Sequence, residues 1–235
     1  MNKSSITRFA LYGFYAVSIV NLYAQVMKVE IADFISKPLL MVTLLIYYLT
    51  ARKSSATMLT WLVAAALVFS WVGDVLLMYQ SRMANLFLFG LGAFLVAQVF
   101  YIIAYRNAID HDVQLPMSKF VAFRLVFLIV YGGGLVFILH EKLGDLLIPV
   151  AAYTAVIIAM GISAILRKGK TSDSSFVLVY SGALLFIMSD SMIAINRFSH
   201  PLVQSGLLIM ATYIAAQFLI VKGLLAHEEA IESEE

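Results

Sequence analysis

Two aspartates lie inside long apolar runs of this sequence, Asp74 within residues 69–78 and Asp190 within residues 184–195. A carboxylate in a membrane-spanning helix costs about 2.5–3.5 kcal/mol on insertion scales, so such residues usually face the interior of the helical bundle and serve a function. A pair of carboxyls can divide acid–base work, because one can donate a proton while the other stays ionised. We therefore interpret Asp74 and Asp190 as two halves of one site. The alternative is a structural pair that holds the bundle together.

Further polar side chains accompany the aspartates on the predicted helices. Ser70 lies four residues before Asp74 and therefore on the same helix face. Other polar residues form stripes on neighbouring helices, where an interhelical hydrogen bond is the alternative to a role in the site. The lysine that opens the second predicted helix could instead extend to the membrane interface. The expected substrate-binding residues are Lys37, Ser70, Gln98, Tyr101, Ser189, Asn196, Arg197, Tyr213 and Gln217.

The composition indicates an integral membrane protein. Of the 235 residues, 62% are hydrophobic and 13% are charged, with a mean hydropathy of +0.93, whereas soluble domains average about 45–50% apolar and 25% charged residues. The absence of cysteine excludes disulfides and thiolate metal sites. No spacing of His, Asp and Glu resembles a metal site, and no basic patch with interleaved aromatic residues suggests a nucleic acid partner. We expect neither a metal nor another cofactor.

Eight apolar segments are candidates for transmembrane helices, which need about 20 residues, and the second of them is short. They are residues 8–27, 37–51, 56–79, 85–106, 118–139, 146–167, 175–196 and 201–224. They form one predicted transmembrane domain, residues 1–226, followed by an acidic, solvated tail at residues 227–235. Eleven of the 16 lysines and arginines fall on the side of the N-terminus, and such an excess marks the cytoplasmic side. We therefore expect both termini in the cytoplasm and a multi-pass protein of a bacterial cytoplasmic membrane.

The two halves of the predicted bundle show a faint internal repeat. Asp74 aligns with Asp190 at an offset of 116 residues, and Gln98 aligns with Gln217 at an offset of 119. Pro38, which opens the predicted second helix, has a counterpart 111 residues later at the start of the sixth. Halves of four helices would be parallel repeats. Each aspartate lies five or six residues before the predicted outer end of its helix, so we expect both at the same depth, roughly 8 Å below the outer boundary.

Several motifs in these segments belong to a recognisable pattern. They are Lys37-Pro38, Phe69-Ser70-x-x-Gly73-Asp74, Gly90-x3-Phe94-x3-Gln98-x2-Tyr101, Gly182-Ala183-x2-Phe186-x2-Ser189-Asp190-x2-Ile193-Ala194 and Tyr213-x3-Gln217. The pattern resembles the YhhN-like family of eight-helix membrane proteins, which includes the lysoplasmalogenases. The two aspartate motifs with their spacing carry most of the resemblance. Many members of that family have histidine at the position of Gln98, and glutamine does not transfer protons at neutral pH.

The resemblance implies hydrolysis of the vinyl ether bond of a lysoplasmalogen, which releases a fatty aldehyde and glycerophosphoethanolamine or glycerophosphocholine. Asp74 and Asp190 would then be the catalytic acid and base, in an order that the sequence leaves open. The polar residues would bind the lysophospholipid, with Lys37 or Arg197 at its phosphate. Two other interpretations fit the same residues. One is a proton-coupled transporter of a small molecule or lipid, because acids at a repeat interface also occur in carriers; the other is a membrane scaffold.

Overall fold

The computed structural model describes residues 3–52, 55–83, 85–114 and 118–234, with side chains up to residue 231. Eight α-helices follow one another along these residues, and the described chain contains no strand. They are α1 (Lys3–Met27), α2 (Glu30–Ala51), α3 (Met58–Met78), α4 (Asn85–Asn107), α5 (Lys119–Leu143), α6 (Leu147–Ile165), α7 (Asp173–Phe198) and α8 (Ser205–Glu234). Lys53, which contributes to the charge bias, and Glu235, the end of the expected tail, lie outside the described residues.

Seven helical segments of the described chain are long and apolar enough to cross a membrane. One of them, Lys119–Ile165, has 47 residues and contains both α5 and α6, which a 3-10 turn at Gly144–Leu146 connects. Large apolar side chains cover the outer surfaces of the helices, and Phe120 and Ile148 are 78% and 79% exposed. Helices satisfy their own backbone hydrogen bonds and can present such a surface to lipid. The protein is therefore an all-helical, multi-pass membrane protein, as the sequence predicts.

The 47-residue segment reverses direction within itself. A Cβ at Gly132 would lie 2.6 Å from Ile158, and a Cβ at Gly161 would lie 2.9 Å from Leu128. Because a later residue of α5 faces an earlier residue of α6, the two helices are antiparallel. The reversal occurs at Gly144, where φ is 51°, a conformation that glycine adopts at little cost.

The chain divides into two compact units. The first contains Met1–Tyr101 together with Glu228–Glu235, and the second contains Ile102–His227. The first unit therefore holds α1 to α3 and most of α4, while the second holds α5 to α7 and most of α8. Each aspartate motif lies in its own unit.

In the first unit, α3 and α4 approach each other closely at two glycines. A Cβ at Gly73 would lie 2.6 Å from the ring of Phe94, and a Cβ at Gly90 would lie 2.8 Å from Leu77. The order of these pairs shows that α3 and α4 are antiparallel. Small residues at such positions allow helices to pack tightly within a membrane.

In the second unit, α7 and α8 form an equivalent antiparallel pair. A Cβ at Gly182 would lie 2.8 Å from the backbone oxygen of Ala216. About two turns further along α7, the Ser189 hydroxyl donates a hydrogen bond to the backbone oxygen of Ile209 at 3.1 Å. These contacts fix the register of the two helices.

The predicted start of the second helix at Lys37 was wrong. Helix α2 begins at Glu30 and includes Pro38 as an interior residue. Its first turns are held by α1, where the amides of Asn21 and Gln25 donate hydrogen bonds to the Asp33 carboxylate at 2.9 and 2.6 Å. Proline removes one backbone hydrogen bond, and helices in membranes tolerate that loss where neighbouring groups compensate.

The acidic end of the chain is helical instead of forming the expected solvated tail. Helix α8 continues to Glu234. Glu228 forms an ion pair with Arg52 at 3.2 Å, and the two side chains are only 11% and 5% exposed. A buried ion pair of this kind orders a segment whose composition alone indicates a solvated end.

Candidate active site

Asp74 is deeply buried near the end of α3. It lies four residues before the last residue of the helix, Met78, and is 3% exposed. Ser70, one turn earlier, is completely buried. Gly73, directly before Asp74, is the residue at which α3 contacts Phe94 on α4. This carboxylate therefore lies next to a close contact between α3 and α4.

Gln98 and Tyr101 lie on α4 and are both completely buried. The pairing of Gly73 with Phe94, and the stacking of Phe69 on Phe100 with ring centroids 5.7 Å apart, place Gln98 at the level of Ser70. The first unit thus places four of the predicted site residues near one another along the pair of helices α3 and α4. They are Ser70, Asp74, Gln98 and Tyr101.

Asp190 is half-buried on α7 and has a hydrogen-bond partner that the sequence analysis missed. The hydroxyl of Tyr153, on α6, donates a hydrogen bond to Asp190 Oδ2. Tyr153 is 6% exposed. An ionised carboxylate has only acceptors, so a phenol hydroxyl is a suitable partner for it. The only signal for Tyr153 in the sequence is a hydroxyl-bearing aromatic residue within an apolar run, and such residues are common near membrane interfaces.

Tyr213 and Gln217 form a second polar contact within the same unit. The Gln217 amide donates a hydrogen bond to the Tyr213 hydroxyl at 3.4 Å, and the ring of Tyr213 packs edge-on against Phe186 with centroids 5.6 Å apart. Phe186 lies one turn before Asp190 on α7. Ser189, next to Asp190, holds α7 to α8 through its bond to the Ile209 backbone.

Asn196 and Arg197 lie near the end of α7, whereas Lys37 lies seven residues inside α2. The Asn196 side chain accepts a hydrogen bond from the Leu202 backbone at 2.9 Å, which gives it a role in the turn between α7 and α8. Arg197 is exposed, and its guanidinium lies 5.8 Å from the ring centroid of Phe198. Lys37 is half-buried and makes no hydrogen bond or ion pair with any residue that the structure describes.

The two carboxylates differ in their distance from the ends of their helices. Asp74 lies four residues before Met78, whereas Asp190 lies eight residues before Phe198. The prediction of five or six residues for both was wrong. The difference of one turn, about 6 Å along a helix, arises because α3 ends one residue before its predicted end and α7 continues two residues past its predicted end.

A third membrane carboxylate, Asp33, was also missed. It precedes the predicted start of the second helix, and its partners Asn21 and Gln25 lie on α1. Ser36 joins the same cluster by accepting a hydrogen bond from Asn21 at 3.0 Å. Among the described residues, no group of three His, Cys, Asp or Glu side chains could hold a metal ion.

The chain is similar in sequence to several proteins that are named lysoplasmalogenases. The chain is 33% identical to human lysoplasmalogenase TMEM86B over 166 residues, 31% identical to bovine lysoplasmalogenase TMEM86A over 169 residues, and 34% identical to a lysoplasmalogenase of Mycobacterium tuberculosis over 171 residues. These alignments cover 71–72% of this chain and 62–66% of the relatives' own lengths, so the chain spans somewhat less than two-thirds of the proteins it matches. No solved structure matches the chain.

The model of the YhhN family matches residues 32–224. That range contains both aspartates, Tyr153 and all the predicted substrate-binding residues. It also contains the glycines at which α3 meets α4 and α7 meets α8. The chain therefore belongs to the YhhN family.

Proposed function

We propose that this protein is a membrane-embedded hydrolase that cleaves the vinyl ether bond of a lysoplasmalogen. The products are a fatty aldehyde and a glycerophosphoethanolamine or glycerophosphocholine. The observation that carries the proposal is the hydrogen-bonded carboxylate of Asp190, beside Tyr153, in a family whose curated relatives are named lysoplasmalogenases. Asp74 supplies the second carboxylate from an almost fully buried position.

The reaction needs one proton donor and one stabiliser of positive charge. A proton is added to the vinyl carbon that is not bonded to oxygen, which leaves an oxocarbenium ion at the neighbouring carbon. Water adds to that carbon and loses a proton, and the resulting hemiacetal breaks its bond to the glycerol oxygen. The net change is addition of one water, with no oxidation or reduction. Glycosidases use paired carboxyls on an oxocarbenium-like transition state in a related manner.

The environments of the two aspartates differ, and we assign their roles on that basis. Asp190 accepts a hydroxyl hydrogen bond from Tyr153, which suits an ionised carboxylate that stabilises the cation and activates water. Asp74 is 3% exposed, and removal from water disfavours a charged side chain. Asp74 is therefore the proton donor.

The remaining polar residues bind and orient the lysophospholipid. Either Lys37 or Arg197 suits the phosphate of the substrate. Arg197 lies one residue before the end of α7, and Lys37 lies seven residues inside α2, from where a lysine side chain can extend toward the membrane interface. Gln98 provides an amide that can orient a bound molecule but transfers no proton. The apolar walls of the helix pairs accommodate the alkenyl chain.

For the arrangement in the membrane, we propose the topology that the sequence predicts. The protein is one transmembrane domain that crosses the membrane eight times, as two parallel repeats of four helices with both termini in the cytoplasm, in the cytoplasmic membrane of a bacterium. The antiparallel packing of α5 against α6 supports eight crossings, since it divides the 47-residue segment into two. The competing function, a proton-coupled carrier, requires an ion gradient, whereas a hydrolase does not.

The function can be tested with detergent-purified full-length protein and a lysoplasmalogen in D₂O. We expect fatty aldehyde that carries one deuterium on the carbon next to the aldehyde group, measured by mass spectrometry after rapid reduction to the alcohol. The matched control is the lysophospholipid with a saturated ether bond, which has no double bond to protonate and should release no aldehyde. Absence of aldehyde from the vinyl ether substrate would reject the function, and aldehyde without deuterium would reject the protonation step.

A further inference from the structure

A cavity of about 540 Å³ lies in the second unit, at the end of α6 away from Tyr153. Its walls come from the last turns of α4, the last turns of α6 and the turn that leads from α6 to α7. Neither Tyr153 nor Asp190 lines the cavity. The lining residue of α6 that is nearest to Tyr153 in sequence is Ala159, six residues or about 9 Å further along the helix. The cavity is thus separate from the contact between Tyr153 and Asp190.

Three cations line this cavity, and no carboxylate does. They are Arg106 near the end of α4, Arg167 directly after α6, and Lys170 in the following turn. The nearby Asp110 lies outside the lining. Its carboxylate is exposed and accepts a hydrogen bond from the Asp112 backbone within its own loop, while its amide donates to the Lys170 backbone. Among the residues that the structure describes, none of these three cations forms an ion pair.

Arg167 is completely buried, and the protein satisfies its hydrogen bonds but not its charge. Its guanidinium donates to the backbone oxygen of Ala108 and to the hydroxyl and backbone oxygen of Ser175, at 2.8 to 3.4 Å. The Tyr105 ring lies 6.0 Å away. Among the described residues, no carboxylate lies within ion-pairing distance of Arg167. Burial lowers the pKa of Arg167 to about 10, so the side chain stays charged at neutral pH.

The rest of the lining is apolar. Ile102 and Ile109 contribute from the side of α4, and Ala159, Ile162 and Leu166 contribute from α6. A cavity with a cationic end and hydrocarbon walls is complementary to a molecule that has an anionic head and an apolar chain. Its volume falls within the range of small-molecule sites, about 300–1,000 Å³.

We propose that this cavity binds an anionic phospholipid, with the phosphate between Arg106, Lys170 and the buried Arg167 and the first part of one acyl chain along α6. Arginine and lysine at the mouth of a cavity between membrane helices bind the head groups of anionic lipids. The exposed Arg106 can bind phosphate oxygens through paired hydrogen bonds, whereas the buried Arg167, whose guanidinium already donates to Ala108 and Ser175, contributes its charge. The bound phosphate supplies the negative charge that the lining lacks. This site is independent of the hydrolytic function proposed above.

The binding test uses native mass spectrometry of the full-length protein with phosphatidylglycerol, and phosphatidylcholine as the neutral comparison. We expect phosphatidylglycerol to remain bound in preference to phosphatidylcholine. Arg106→Gln and Lys170→Gln should each weaken phosphatidylglycerol binding about fivefold or more, since each cation near a membrane surface contributes about 1 kcal/mol. The matched control is Lys119→Gln, an exposed cation of the same unit outside the cavity, and it should change binding less than twofold.

A second pair of measurements separates a lipid from free phosphate. Ala159→Leu fills part of the apolar wall and should weaken phosphatidylglycerol binding while leaving competition by inorganic phosphate unchanged. If inorganic phosphate binds as tightly as the lipid, or Ala159→Leu has no effect on the lipid, the lipid assignment is wrong. The site itself would be wrong if the original protein bound phosphatidylglycerol and phosphatidylcholine equally. It would also be wrong if Arg106→Gln and Lys170→Gln bound phosphatidylglycerol as tightly as the control Lys119→Gln does. Turnover of lysoplasmalogen is not part of the readout, so failure of either proposal leaves the other intact.

Discussion

The contact between Tyr153 and Asp190 joins a carboxylate in an apolar helix to a single hydroxyl donor. A carboxylate in an apolar helix needs a partner, and here a hydroxyl from the preceding helix provides one. Both aspartates could be recognised from the sequence, because charged residues are rare and costly in such runs. Tyr153 could not, because its partner is 37 residues away and only the packing of α6 against α7 brings the two together. The same holds for Asp33, whose amide partners lie on the neighbouring helix.

The first prediction concerns the Tyr153 hydroxyl. Tyr153→Phe removes the donor to Asp190 and keeps the ring, so turnover of lysoplasmalogen should fall about 10- to 100-fold, as expected for one hydrogen bond to a charged group. The thermal midpoint of unfolding should change little. Tyr131→Phe is the matched control, because the Tyr131 hydroxyl donates at 2.8 Å to Ser191, the residue after Asp190. Equal turnover in the Tyr153 variant and the original protein would show that this hydrogen bond does not serve catalysis.

At the scale of helices, the apolar segments of the sequence predicted which helices exist better than they predicted where each helix begins and ends. The end of α8 depends on the ion pair of Glu228 with Arg52, and the start of α2 depends on hydrogen bonds from α1 to Asp33. Both are contacts between residues distant in sequence, so local composition could not reveal them. Several contacts between helices occur at glycines. The sequence shows where the glycines are but not which of them lie at a contact.

The second prediction concerns the contact between α7 and α8. Gly182→Ala places a Cβ 2.8 Å from the Ala216 backbone oxygen and 3.0 Å from the Ile220 backbone nitrogen. Backbone atoms cannot move aside as a flexible side chain can, so the variant should lose about 1–3 kcal/mol of stability, measured as a lower thermal midpoint in detergent. Gly133→Ala is the control, since a Cβ at that helical position meets nothing within 4 Å and alanine favours a helix over glycine. A Gly182 variant as stable as the Gly133 variant would contradict the packing.

At the scale of the whole molecule, the number of membrane crossings decides where the termini lie. Eight crossings place both on one side, whereas seven place them on opposite sides. The charge bias of the sequence favours the cytoplasm for both. The antiparallel packing of α5 and α6 accounts for the difference between seven apolar segments and eight helices.

The third prediction tests this topology with single cysteines, which the original chain lacks. Ser4→Cys and Glu229→Cys should resist an impermeant thiol reagent in intact cells and react once the membrane is permeabilised. Ser81→Cys, in the exposed turn between α3 and α4, should react in intact cells. Labelling of only one terminus would indicate an odd number of crossings, and labelling of both termini with protection of Ser81→Cys would indicate the inverted orientation.

The central claim is that Asp74 and Asp190 act together on the vinyl ether, and turnover of their asparagine variants tests it most directly. Asparagine keeps the shape of aspartate but removes the transferable proton and the charge. General acid–base catalysis contributes about 10²- to 10⁴-fold, so Asp74→Asn and Asp190→Asn should each lose at least about 100-fold in turnover of a lysoplasmalogen while their thermal midpoints stay near that of the original protein. The double variant should be little worse than the worse single variant, because residues that act as a unit are not additive. Near-normal turnover in either folded single variant would remove that residue from the mechanism and contradict the claim.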